Sequence, residues 1–248
     1  MTKPGALAQR EKLEVHNDYQ REYFSSRELP RMTVDSGPAT PYVSRHVSAV
    51  VDAARLTAED RVLDVGCGIG KYTVELYRRG FNAEGLDLTP ALVAALHDVE
   101  PRIPATVADV SNPPQELLGR YSAAVGFMVL HHVADLNAAF AGLHSTLLPG
   151  GRIAFLEPNP YFLGYDAQIA FTPGMTFKGD GGIVRLRRKP IELILEGAGF
   201  RNVSIEKFGA FPLALANREA GARLEQRLES VPGWDGCKAF QVISAERD

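Results

Sequence analysis

Apolar positions along this chain fall into short runs that alternate with stretches of helical period. Arg61–Val65, Asn82–Asp87, Ile103–Ala108, Tyr121–Phe127 and Arg152–Glu157 read as apolar strands bounded by turn residues. Around them, His46–Leu56, Lys71–Arg79, a segment opening at Thr89-Pro90, and Asp135–Leu147 read as helices. Gly80 stands where a left-handed residue ends a helix, and Pro149-Gly150-Gly151 stops another. Thr89 is expected to cap its helix by accepting a backbone hydrogen bond, with Pro90 filling the first turn. Strand and helix in alternation imply βαβ units, a parallel sheet and helices on both faces, joined by right-handed crossovers.

The rhythm breaks after Glu157. Pro158–Lys189 carries Tyr161, Phe162, Tyr165, Phe171 and Phe177 without a clean period. So long an irregular segment inside a domain usually serves function. Pro190–Ala198 (helix, ended by Gly199), Phe200–Phe208 (strand), Asn217–Leu228 (helix) and Lys238–Glu246 (strand) complete the pattern. Ahead of the core, Glu11–Phe24 reads as a helix and Arg27–Pro41, with Pro30, Gly37, Pro38 and Pro41, as loop. We therefore read one domain over 1–248. It divides into an N-terminal segment (1–45), a strand-helix core (46–157), an irregular insertion (158–189) and the C-terminal part of the sheet (190–248).

Composition changes this picture little. A chain of 248 residues, 45% hydrophobic and 23% charged, buries a core without disulfides or metal. A net charge of −3 gives no support for nucleic-acid binding. Cys67 and Cys237 lie far apart without a CxxC or Cys/His cluster, which argues against zinc and for a reducing compartment. There is no apolar N-terminal stretch like a signal peptide and no run of about 18 apolar residues, so a cytoplasmic protein without a membrane span is expected.

The chemistry concentrates in Asp64-Val65-Gly66-Cys67-Gly68-Ile69-Gly70, directly after a strand and before a helix. Such a turn sets bare backbone N–H groups and a positive helix end against a ligand. The spacing is GxGxG, and Lys71 stands where a dinucleotide fingerprint needs its third glycine; no GxxxxGK[ST] occurs. An acid ahead of the glycines repels a pyrophosphate and suits an ammonium. Asp87 ends the next strand 23 residues after Asp64, where a carboxylate accepts from ribose hydroxyls. Asp109 ends the third strand, where it can accept from an adenine amine. Each acid also has a plainer reading: a turn cap, a surface acid or a turn former. Cys67 reads as a small residue in a tight turn.

The segments VLDVGCGIGKYT, GLDLTP, VADV, GFMVLHHV and LLPGGRIAFLEPN occur in the order and at the intervals found in class I S-adenosylmethionine (SAM)-dependent methyltransferases. The chain resembles that family closely over 42–157 and loosely beyond. The resemblance implies an α/β, doubly wound, Rossmann-like seven-stranded sheet with its last strand antiparallel. It also implies SAM as cofactor and S-adenosylhomocysteine as product. On these motifs Gly66, Cys67 and Gly68 pass under the methionine portion and Asp64 reaches its amino group. Asp87 holds the ribose with Leu88 beside the adenine. Asp109 takes the adenine amine, Val110 meets the ring, and the Phe127 carbonyl faces the methionine ammonium.

His131 and His132 follow the fourth strand at the ligand edge. A histidine there can take a proton as a methyl group arrives, and some small-molecule members of the family use one. The pair is equally a structural turn that starts the next helix. Glu157 either shares the proton-handling role or braces the loop. Arg185 and Arg187, in GIVRLRRKP, either clamp an acidic substrate group or form a solvated face. Tyr19, Tyr23, Phe24, Tyr161 and Tyr165 either wall an apolar pocket under a lid or form core. The reading is methyl transfer to a small organic acceptor of natural-product, lipid or prenyl type. A cofactor-binding cyclase or partner protein is the alternative, and an NAD-dependent oxidoreductase is disfavoured by Asp64 and Lys71. A homodimer is open, and no metal is expected.

Overall fold

In the computed structural model, which describes residues 4–25, 38–162, 164–165, 170, 176, 181–209, 218–229, 231 and 233–248, seven strands build one sheet. They are Arg61–Val65 (β1), Asn82–Asp87 (β2), Ala105–Val107 (β3), Tyr121–Phe127 (β4), Leu147–Pro158 (β5), Phe200–Phe208 (β6) and Phe240–Arg247 (β7). Helices run over Pro4–Ser25 (α1), Pro41–Ala54 (α2), Thr73–Arg78 (α3), Pro90–Val99 (α4), Leu136–Thr146 (α5), Arg188–Gly197 (α6) and Glu219–Glu229 (α7). The sheet order is β3-β2-β1-β4-β5-β7-β6, with β7 antiparallel to both its neighbours and the pairings from β3 to β5 parallel. This is the expected doubly wound sheet with its last strand reversed.

Period-two alternation sends successive strand residues to opposite faces, and both faces are covered. Leu63, Ala124, Phe155 and Ile243 pack with Phe140 and Leu143 of α5 and Ile191 of α6. Their neighbours Val62, Val125, Ala154 and Val242 pack with Val47 and Val50 of α2. The near-continuous apolar runs in the sequence follow from this double burial.

Several boundaries differ from the sequence reading. α2 begins at Pro41, five residues before the expected start at His46: Thr40 accepts from Val43 N at 3.3 Å and Pro41 opens the first turn. At Thr89-Pro90 the helix starts as expected, but the Thr89 side chain makes no cap bond; its N–H donates instead to Asp87 Oδ1 at 2.8 Å. β5 begins at Leu147, so Pro149-Gly150-Gly151 lies inside the strand, where the pairing with β4 shifts register between Tyr121 and Ala123. Lys71 and Tyr72 precede α3 rather than forming its first turn. α1 is longer than read, beginning at Pro4. Phe171, Phe177 and residues 26–37 lie outside the described residues. No described helix is long and apolar enough to cross a membrane.

Candidate active site

β1 delivers its chain into three glycines with φ of +71° (Gly66), +53° (Gly68) and +88° (Gly70), values that side chains rarely adopt. A Cβ on Gly66 would fall 2.4 Å from Val129 Cγ2, and one on Gly70 would fall 2.1 Å from Leu96 Cδ1. Those two glycines serve packing. A Cβ on Gly68 would meet nothing within 4 Å, so its bare backbone faces open space. Gly68 is therefore the one exposed to a ligand.

Acids surround this turn. Asp64 is buried, its Oδ2 accepts from Thr73 Oγ1 at 2.6 Å, and its Oδ1 has no partner among the described residues. Burial, and then the charge of Asp87, push its pKa up to about 7. Asp87 accepts from Gly68 N at 2.9 Å and Thr89 N at 2.8 Å, tying β2 to the turn; burial raises its pKa. Asp109 accepts from Ser111 N at 2.8 Å and from Asn17 Nδ2 of α1 at 2.7 Å. Leu88 and Val110, each half-buried, flank the two acids. Each carboxylate oxygen has a second lone pair, so these bonds leave room for a ligand's donors. Cys67 is buried, and burial with two nearby carboxylates pushes its thiol well above the usual range, which disfavours a nucleophilic thiolate.

The second half of the site lies beyond β4. Phe127 stacks on Tyr72 at 4.3 Å, and the chain then turns through Met128 at φ +57°. Glu157, at the end of β5 and fully buried, holds that turn. Its Oε1 accepts from Val129 N at 2.8 Å and Leu130 N at 2.6 Å, and its Oε2 lies 2.6 Å from His131 Nδ1. A carboxylate facing Nδ1 assigns the proton to that nitrogen and leaves Nε2 as the ring's acceptor. The His131 and His132 rings meet at 3.9 Å.

Helix α1 crosses over both halves. His16 Nε2 donates to the His132 carbonyl at 2.8 Å, Phe24 meets the His132 ring edge-on at 5.0 Å, and Asn17 reaches Asp109. Tyr19 stacks on Tyr23 at 5.9 Å, and Tyr23 meets Phe24 at 5.2 Å. Gln20, on the same stripe, is buried, and neither amide atom has a partner among the described residues. His16, Asn17 and Gln20 carried no motif; their helical spacing along one stripe was the available signal.

The basic run divides. Arg185 donates to the Ala134 carbonyl at 2.8 Å, the His131 carbonyl at 3.2 Å and the Gly182 carbonyl at 3.4 Å, so it braces the histidine turn. Arg187 instead stands 5.9 Å from the Tyr161 ring, with Lys207 Nζ 4.6 Å from the same ring. Tyr165 is buried against Ile183 and Phe162 in a small apolar cluster. Among the described residues no group of three or more His, Cys, Asp or Glu is placed to hold a metal.

A glycine turn led by an acid, a second acid on β2 and a third after β3 define a site for a nucleoside carrying a cationic tail, on a doubly wound sheet. A model of the methyltransferase-domain family matches residues 39–205, well over half of the chain. The chain belongs to this family, the class I SAM-dependent methyltransferases. It is 37% identical over 106 residues to a ubiquinone biosynthesis O-methyltransferase of Xanthomonas axonopodis pv. citri, covering 41% of this chain and 44% of the relative. It is 38% identical over 111 residues to a highly reducing polyketide synthase of Strobilurus tenacellus, covering 40% of this chain and 4% of that protein. The chain thus spans about half or less of the length of these curated relatives. Among solved structures it resembles geranyl diphosphate C-methyltransferase of Streptomyces coelicolor A3(2), at a TM-score of 0.59 and 16% identity, covering 94% of this chain and 98% of that one.

The residues present fit SAM. The unpartnered Asp64 Oδ1 offers an acceptor to an ammonium, and the open face of Gly68 admits a ligand against the backbone.

Proposed function

We propose that the protein transfers a methyl group from SAM to an ionisable hydroxyl of a small, largely apolar organic acceptor, with His131 as proton acceptor. Bound SAM supplies an electrophilic methyl on a sulfonium. Asp64 and Gly68 hold its methionine portion, with Gly66 and Cys67 shaping the turn beneath it; Phe127 offers its carbonyl, and Asp87, Leu88, Asp109 and Val110 hold its nucleoside. The observation that carries the acceptor chemistry is the buried Glu157–His131 contact of 2.6 Å. Glu157 orients the ring, presents Nε2 to the acceptor hydroxyl and stabilises the imidazolium once the proton has moved. Positioning and exclusion of water do the rest, and α1 with Tyr19, Tyr23 and Phe24 supplies the cover. The O-methyltransferase relatives in ubiquinone biosynthesis support a hydroxyl acceptor.

Arg187, with Lys207 beside Tyr161, suits an acidic group on the acceptor. Lys207 and Glu157 both pair with Gln241 in the sheet, so two strand spacings, about 10 Å, separate them. An acceptor of natural-product, lipid or prenyl type carrying an acidic group fits this arrangement.

The test is transfer of labelled methyl from SAM to phenolic and enolic acceptors with and without an acidic tail, beside S-adenosylhomocysteine binding. His131→Ala should lower turnover roughly 100-fold or more while leaving cofactor affinity in place, and His132→Ala should cost less. Normal turnover in His131→Ala removes the proton-acceptor role. Cofactor binding without transfer to any acceptor would favour a cyclase or a non-catalytic partner.

A further inference from the structure

We infer that Lys71 binds the carboxylate of the cofactor's amino-acid tail, an assignment that rests on the SAM reading and completes its recognition of a zwitterion. Lys71 directly follows Gly70 and lies outside α3. Its ammonium stands 5.6 Å from the Tyr42 ring centre and 5.4 Å from that of Tyr72. Tyr72 stacks on Phe127 at 4.3 Å, and its hydroxyl lies 3.1 Å from His46 Nδ1. The amine therefore occupies a corner formed by the glycine turn, the first turn of α2 and the end of β4.

Among the described residues nothing anionic faces it there. Among the described residues Lys71 makes no ion pair and no hydrogen bond, and burial alone lowers its pKa. The groups around it are neutral. His46 is driven down to about 3 by burial and then by Lys71 and Arg45, and burial raises the Tyr42 and Tyr72 phenols. Of the nearby acids, Asp64 Oδ2 is taken by Thr73, and Asp87 accepts backbone amides with both oxygens.

A cation partly removed from water and held only by ring faces is incompletely compensated. Cation–π contact is worth about 0.5–1 kcal/mol at exposed sites and about 2 when desolvated. A hydrogen bond to a charged group adds about 1.5–3 kcal/mol, so an arriving carboxylate adds to the rings rather than displacing them. Asp64 and Lys71 flank one turn, the first with an unpartnered acceptor and the second with an unpartnered donor. A pyrophosphate would satisfy Lys71 and be repelled by Asp64. An α-amino acid satisfies both. The residue that breaks the dinucleotide fingerprint is thus a positive reader of the tail.

The test compares two ligands by calorimetry. S-Adenosylhomocysteine has the tail; 5′-methylthioadenosine has the nucleoside and thioether without it. Lys71→Met keeps the apolar stem, and should weaken S-adenosylhomocysteine at least tenfold while leaving methylthioadenosine within twofold. Lys71→Arg should keep most of the affinity. Unchanged S-adenosylhomocysteine binding in Lys71→Met, or equal losses for both ligands, overturns the assignment. Failure of the unaltered protein to bind either ligand overturns the SAM reading, and this inference with it.

Discussion

The two halves of the site are built differently. Around the nucleoside end, two of the acids have a partner two residues on, Asp87 in Thr89 N and Asp109 in Ser111 N, beside longer-range bonds from Gly68 N and Asn17 Nδ2. Around the acceptor end, contacts join distant segments. His131 and Glu157 are 26 residues apart, Arg185 and Ala134 are 51 apart, and His16 and His132 are 116 apart. The strand ends and their short-range bonds set most of the first half, and α1 reaches it only through Asn17 on Asp109. Long-range contacts make the second half depend on how β5, the 181–186 turn and α1 dock.

The largest expected effect breaks the acceptor half alone. Glu157→Ala leaves one buried N–H (Leu130) and one part-buried N–H (Val129) without an acceptor, the first at about 1–3 kcal/mol, and frees the His131 ring. Turnover should fall by roughly 100-fold or more. Glu157→Gln keeps an acceptor for those N–H groups and should recover melting temperature without recovering turnover. Recovery of both by Gln would reduce Glu157 to a loop brace. Next in size, Asp87→Ala breaks the nucleoside half: S-adenosylhomocysteine affinity should drop at least roughly tenfold, about 1.4 kcal/mol, in a calorimetric titration. Unchanged affinity would remove the ribose role.

The pH dependence of binding sharpens the same contrast. Because the folded pKa of Asp64 is raised from 3.8 to about 7, its contribution to the ligand-free fold is present below about pH 4 and is lost as pH rises through 7. A bound ammonium favours the ionised carboxylate, so S-adenosylhomocysteine affinity should rise about tenfold between pH 6 and 8. Asp64→Asn should flatten that rise; an equally steep profile in the variant would assign the titration elsewhere. The smallest effect concerns α1. Gln20→Leu replaces a buried amide that has no partner, and should stabilise the protein by about 1 kcal/mol, or 2–4 °C. Lower stability, or weaker cofactor binding, would instead give that amide a ligand.

What was legible follows the same division. The parallel strand-helix alternation and the glycine turn could be read because double burial leaves near-continuous apolar strands and because φ above zero demands glycine at defined spacings, while the strand order could not. Asp64 and Asp87 could be read because strand ends place them. The histidine turn was visible, yet its partner was not separable from a brace, since pairing Glu157 Oε2 with His131 Nδ1 requires the register of β4 on β5. Arg185 and Arg187 look alike in sequence; the docking of one turn against the His131 and Ala134 carbonyls separates them. Lys71 registered only as a missing glycine, because the rings around it come from both α2 and its own turn.

The most direct measurement of the central claim is calorimetric titration of the purified protein with S-adenosylhomocysteine, with NAD as the parallel ligand. The account predicts a dissociation constant on the order of micromolar for the first and no detectable binding of the second. Binding of NAD without binding of S-adenosylhomocysteine would contradict it, and the roles given to Asp64, Asp87 and Lys71 would fall together.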